Sequence, residues 1–106
     1  MIVVEKLKDY SIVRFTEPNS EIEFNNVGDL KTVLNDLIGK NEKKILIDFK
    51  NVVYIDSSGL GVLIDAVKRL NKASGEMGIL SISKDVLDVF TATKIGQYFR
   101  FYKDLS

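Results

Sequence analysis

The run Lys44-Ile45-Leu46-Ile47-Asp48-Phe49 constrains the fold of this chain more than any other segment. Three consecutive aliphatic residues and a phenylalanine leave no polar face, so the pattern predicts a strand buried on both sides. Strands of that kind lie at the centre of parallel sheets with helices on either side. Parallel neighbours need crossover connections, and the flanking segments supply them. Upstream, Val27, Leu30, Val33, Leu34 and Leu37 recur at helical spacing, with Asn25 or Asn26 as the candidate N-cap and Gly39 as the candidate C-cap. Downstream, a second helix from about Ser58 to Ala73 turns Leu60, Leu63, Ile64, Val67 and Leu70 inward, and Gly75 closes it. Its last turns carry Lys68, Arg69 and Lys72, where cations favour the helix dipole.

The remaining segments fit around this centre. Ile2 to Val4 and Tyr10 to Phe15, joined at Lys8-Asp9, read as an antiparallel hairpin at a sheet edge. Thr16 to Ser20 holds the only proline and reads as a loop. Val52 to Ile55 carries the strand direction on towards a second helix start. Met77 to Ile82 is a strand. Ser83 can cap a third helix over Lys84 to Thr93, with Val86, Leu87 and Phe90 inward, and Phe99 to Tyr102 is a last short strand. The order β-β-α-β-α-β-α-β predicts the α/β class. The sheet is expected to be mainly parallel, with four or five strands, an antiparallel edge strand and about three or four flanking helices. No repeat, linker or low-complexity tract interrupts it, so one domain over residues 1–106 is expected.

Composition narrows the chemistry. The chain has no cysteine and no histidine. Disulfides, thiolate or imidazole metal sites and the Ser-His-Asp mechanism are thereby excluded, and a self-contained hydrolase is disfavoured. Fifteen basic residues balance fifteen acidic ones, which offers no electrostatic reason to expect nucleic acid or an anionic membrane as partner. No stretch approaches the roughly 20 apolar residues of a membrane span, and no signal peptide is visible. A cytoplasmic protein without metal or cofactor is expected.

The strand ending at Tyr54-Ile55 runs directly into Asp56-Ser57-Ser58-Gly59-Leu60-Gly61. In open α/β sheets, sites gather outside the carboxyl ends of strands. Asp56, Ser57 or Ser58 can each cap the helix that follows. A helix start also stabilises negative charge by roughly 0.3–1 kcal/mol, so a phosphate here is tolerated by the fold. Its two charges still change the surface that a partner meets. Two glycines in a first turn cost about 1 kcal/mol each relative to alanine. Either the turn packs closely against a neighbouring strand, or bare backbone lets another protein approach Ser57. A phosphate-cradling loop is the weaker option, because no P-loop lysine follows Gly61 and the glycine spacing does not match a dinucleotide fingerprint. Spacing alone leaves the hexapeptide open between a capped structural turn and a functional site.

The stretch Asn51-Val52-Val53-Tyr54-Ile55-Asp56-Ser57-Ser58-Gly59-Leu60-Gly61-Val62-Leu63 resembles the signature of STAS domains, in particular bacterial anti-sigma factor antagonists. The Lys44–Phe49 strand, the Gly75-Glu76-Met77 turn and the Ser83–Phe90 helix follow in the family's order, and the resemblance covers roughly residues 10–102. It implies a STAS-like fold and a transcription-regulating partner switch. Unphosphorylated antagonist binds an anti-sigma factor that is also a serine kinase of histidine-kinase-like ATPase fold. Phosphorylation releases the antagonist, and a metal-dependent serine phosphatase resets it. By position the phosphorylated serine is Ser57, with Asp56, Ser58, Gly59, Leu60 and Gly61 around it as the partner-binding surface. The family's glycine–acid–apolar–aspartate run before the first helix is here Ser20-Glu21-Ile22-Glu23, which makes Glu23 a candidate to hydrogen-bond toward Ser57. The alternative is an unphosphorylated STAS adaptor or scaffold subunit, as in lipid transporters or stress-sensing complexes.

Other features have ordinary readings. Tyr98, Phe99, Phe101 and Tyr102 suit a last strand packing on the sheet, with an exposed contact patch as the alternative. Asp65 and Arg69 suit an intrahelical pair. Asp48 and Asp56 make no convincing acid–base pair, because Asp48 has no evident reacting partner.

Overall fold

The computed structural model describes residues 1–105. Along the chain run β1 (Ile2–Leu7), β2 (Tyr10–Phe15), β3 (Ser20–Ile22), α1 (Val27–Gly39), β4 (Lys44–Asp48), β5 (Val52–Ile55), α2 (Ser57–Lys72), β6 (Glu76–Leu80), α3 (Lys84–Ala92), a 3-10 turn (Gly96–Tyr98) and β7 (Arg100–Tyr102). The hairpin forms where its sequence places it. β1 and β2 pair antiparallel with Leu7 opposite Tyr10, and Lys8 takes φ of 57°, the left-handed conformation such a turn demands. β2, β4, β6 and β7 then continue in parallel, giving a five-stranded sheet in the order β1-β2-β4-β6-β7. No helix among the described residues is long and apolar enough to cross a membrane.

Three expectations change. The first concerns the chain between Lys44 and Ile55, which is two strands in different sheets. A turn at Lys50-Asn51 ends β4, and β5 leaves to pair in parallel with β3 as a separate two-stranded ribbon. Sequence reading missed β3, because a three-residue strand with only Ile22 buried shows no alternation. Its place is set by tertiary hydrogen bonds: Ser20 N donates to Asn51 O at 2.7 Å and Asp56 N to Ile22 O at 3.0 Å.

The second concerns the layers. Leu30, Leu34, Leu63, Val67, Val86 and Phe90 of the three helices share one core with Val13, Ile45, Ile47, Met77 and Ile79 of a single sheet face. Ile12, Leu46 and Leu80 on the opposite face are also buried, but no helix covers them. Leu7, Tyr10, Tyr102 and Leu105 close over that face around a cleft of about 220 Å³. Ion pairs flank it: Arg14 with Glu5 and Asp48, Lys44 with Asp9, and Arg100 with Glu76. The central run is therefore apolar on both faces without having helices on both. Asp48 is structural: Arg14 Nη1 donates to Oδ2 at 2.6 Å and Lys50 N to Oδ1 at 2.9 Å.

The third concerns helix ends. Neither Gly39 nor Gly75 takes the left-handed conformation; Asn41 (φ 65°) and Ser74 (φ 66°) do. Gly75 is small for another reason, since a Cβ there would lie 2.6 Å from the Lys43 carbonyl oxygen. The other end of the core behaves as expected: Ser83 Oγ caps α3 by accepting from Val86 N at 3.3 Å. Phe90 packs edge-on against Phe49, Phe99 and Phe101, while Tyr98, Phe101 and Tyr102 stay partly exposed.

Candidate functional site

Asp56 is the joint on which the site is built. It sits between β5 and α2 in extended conformation (φ −104°, ψ −175°). Its Oδ1 accepts from Gly59 N at 3.0 Å and its carbonyl from Leu60 N at 3.0 Å, so Asp56, and not either serine, caps α2. Its Oδ2 accepts from Phe24 N at 3.0 Å. With its own N–H given to Ile22 O, Asp56 ties β3, the loop before α1 and the start of α2 together. The site thus lies at the carboxyl end of a ribbon strand, outside the main sheet.

Capping by Asp56 leaves Ser57 uncommitted. Ser57 is the first residue of α2 and is exposed. Its hydroxyl has no hydrogen-bond partner among the described residues. Ser58 is half-buried and faces a cleft of about 260 Å³ between α1 and α2, shared with Lys31, Asn35, Gly61, Asp65 and Arg69. Arg69 is occupied there, donating Nε to Asp65 at 3.2 Å and Nη2 to Asn35. Lys68 is exposed, with its ammonium 5.6 Å from the Tyr98 ring centre.

The two glycines separate. A Cβ on Gly59 would lie 2.7 Å from both Ile22 Cγ2 and Ile55 Cγ1, so Gly59 is what lets α2 sit against the β3–β5 ribbon. Gly61 is exposed, and a Cβ there would meet nothing within 4 Å. Nothing in the fold requires glycine at 61. Leu60 packs half-buried against the core.

Glu23 does not reach Ser57. Its carboxylate accepts from Asn25 Nδ2 at 3.3 Å, and the link to the helix start is made next door by the Phe24 backbone. Asn26 precedes α1 without a capping side-chain bond. Instead its Oδ1 accepts from Glu23 N at 3.0 Å and its Nδ2 donates to Glu21 O at 2.7 Å, which folds the loop that carries Phe24. Sequence reading gave no site role to Ile22 or Phe24, and it offered Asn26 as a helix cap where its side chain closes the loop instead. The only signal for Phe24 was a large ring in an otherwise polar loop.

The sequence profile of STAS domains matches residues 1–106. This chain belongs to the STAS domain family. An anti-sigma-B factor antagonist of Staphylococcus aureus is 32% identical over 73 residues, which are 69% of this chain and 68% of that protein. Among solved structures, an anti-sigma factor antagonist from Mycobacterium paratuberculosis matches with a TM-score of 0.85 at 21% identity, covering 99% of this chain and 86% of that one. The Bacillus cell fate determinant SpoIIAA in its phosphorylated form matches with a TM-score of 0.73 at 18% identity, covering 97% and 92%. These likenesses establish a STAS fold, and the expected sheet with its antiparallel edge strand agrees with them.

In this STAS domain the hydroxyl of Ser57 is accessible but not activated. Both Asp56 oxygens already accept backbone N–H groups, and no histidine exists to take a proton. The arrangement suits a group that is acted upon.

Proposed function

We propose that this STAS domain is an anti-sigma factor antagonist whose binding is switched by phosphorylation of Ser57. One observation carries the reading: an exposed, uncommitted hydroxyl on the first residue of a helix that its neighbour already caps. Modification there leaves the hydrogen bonds of the fold in place. Unphosphorylated, the Asp56–Gly61 surface docks on an anti-sigma factor that is also a serine kinase of histidine-kinase-like ATPase fold. The bare backbone at Gly61 permits close approach. The kinase transfers the γ-phosphoryl group of ATP to Ser57 Oγ; the new O–P bond forms as the bond to ADP breaks, and the hydroxyl proton leaves to the kinase. The helix start carries the added charge, while the partner surface meets repulsion and a desolvation cost and lets go. A metal-dependent serine phosphatase restores the hydroxyl. The chain is a substrate and binding module in this cycle, with no catalysis of its own, and the cycle is a cytoplasmic one.

The test is phosphate transfer from ATP by the cognate kinase, read by intact mass. Wild type gains one phosphate and Ser57→Ala gains none. Incorporation that survives Ser57→Ala moves the site, with Ser58 next. Ser57→Asp weakens kinase binding in a titration; unchanged affinity would refute the switch and favour constitutive docking by an adaptor.

A further inference from the structure

The loop before α1 and the turn into α2 are acidic, and Lys31, Lys50, Lys68 and Arg69 border them. Residues 17–30 and 51–67 contain Glu17, Glu21, Glu23, Asp29, Asp56 and Asp65 and no lysine or arginine, in a chain that is neutral as a whole. Three large apolar side chains on these segments are exposed, Val53, Tyr54 and Phe24, and Phe24 is the most exposed of them. Phe24 is 75% exposed, against 37% for Phe101, while Phe15, Phe49, Phe90 and Phe99 are buried.

The exposure of Phe24 is held in place. Its backbone N–H is tied to Asp56 Oδ2, and the loop around it is closed by the Asn26 side chain bonding Glu23 N and Glu21 O. Asn26 N and Val27 N both donate to Glu23 O, at 3.0 and 2.9 Å. A ring displayed on a hydrogen-bonded loop loses little freedom on binding, which is the condition for an interface anchor. One residue, Asp56, both holds the Phe24 backbone and directly precedes Ser57, which ties the loop that displays the ring to the start of α2.

We infer that Phe24 is the anchor by which the unphosphorylated domain docks on its kinase, inserting into an apolar socket rimmed by basic side chains. This rests on the function proposed above and names the chemistry of the partner surface. An acidic rim selects a basic counterpart and speeds encounter with it. The basic rim does not retain the phosphorylated product, because the two charges are read in different places. Phosphoryl transfer requires Ser57 to face the nucleotide phosphates, and after transfer the phosphoserine meets the phosphates of ADP, which repel it.

The experiment measures affinity for the purified kinase that phosphorylates Ser57, by titration at several salt concentrations. Phe24→Ala raises Kd by about tenfold or more, whereas Phe24→Leu keeps it within roughly threefold. Phe24→Ala leaves the melting temperature within about 2 °C, because an exposed ring contributes little to folding. Wild-type affinity falls as salt rises, and Glu21→Lys weakens binding and flattens that dependence. Phe24→Ala within about twofold of wild type, in a complex that still phosphorylates Ser57, overturns the anchor and leaves the switch standing. Affinity that is insensitive to salt overturns the basic socket. Failure of any kinase of that fold to bind or phosphorylate the wild-type chain overturns both readings.

Discussion

Alanine at Gly59 and alanine at Gly61 will change stability in opposite directions, although both sit in the first turns of α2. At Gly59 the added methyl lands 2.7 Å from Ile22 Cγ2 and Ile55 Cγ1, about 1 Å inside ordinary carbon–carbon contact. Ile22 and Ile55 are 1% and 3% exposed, so neither can swing outward. Overpacking of this kind costs about 1–3 kcal/mol, and the gain in helix propensity returns up to about 1 kcal/mol. With the full return, the net loss is up to about 2 kcal/mol. At Gly61 there is no clash and only the propensity gain, about 0.5–1 kcal/mol. A chain of 106 residues unfolds with an entropy of about 0.2 kcal/mol per degree. Gly59→Ala should therefore lower the melting temperature by up to about 9 °C, and Gly61→Ala should raise it by about 2–4 °C. Thermal unfolding followed by circular dichroism reads both. A destabilised Gly61→Ala, or a stabilised Gly59→Ala, would refute the assignment of Gly59 to packing and Gly61 to surface. If the proposed docking is right, Gly61→Ala also binds the kinase more weakly while being the more stable protein.

Two further outcomes test the joint and the surface ion pairs. Asp56→Ala removes both the α2 cap and the Phe24 tether and should cost about 2 kcal/mol, whereas Asp56→Asn keeps a capping oxygen and should cost about half of that; equal losses in urea unfolding would show that the cap contributes nothing. Hydrogen bonds from Lys6 and Ser11 hold Glu42, and one from Lys44 holds Asp9, below the usual carboxylate range. Folded-state values below the unfolded ones mean that the unfolded chain binds more protons on acidification. Their contribution is present at neutral pH and is lost as pH falls from about 5 toward 3. Glu42→Gln should flatten the dependence of the urea midpoint on pH in that window, and an unchanged slope would count against it.

Local pattern by itself determined several parts of this protein. The Lys8-Asp9 turn, the helical spacing of Leu30, Leu34 and Leu37, the Ser83 cap and the strand-to-helix turn at Asp56 each depend on residues a few positions apart, and each stands where the pattern places it. The family and the serine motif are legible for the same reason: both are contiguous. Whatever depends on residues distant in sequence is not. The apolar run at Ile45–Ile47 demands cover on both faces, but nothing in it says whether helices or long side chains provide that cover; packing put all three helices on one face. The motif offers three possible caps and two glycines needing explanation. Only the approach of Ile22 and Phe24, which lie far upstream of Asp56 and Gly59, makes Gly59 a packing necessity, leaves Gly61 a free surface and gives the second oxygen of the Asp56 cap a partner. That approach leaves the Ser57 hydroxyl without a structural task, because a carboxylate with two oxygens can hold two backbone N–H groups at once.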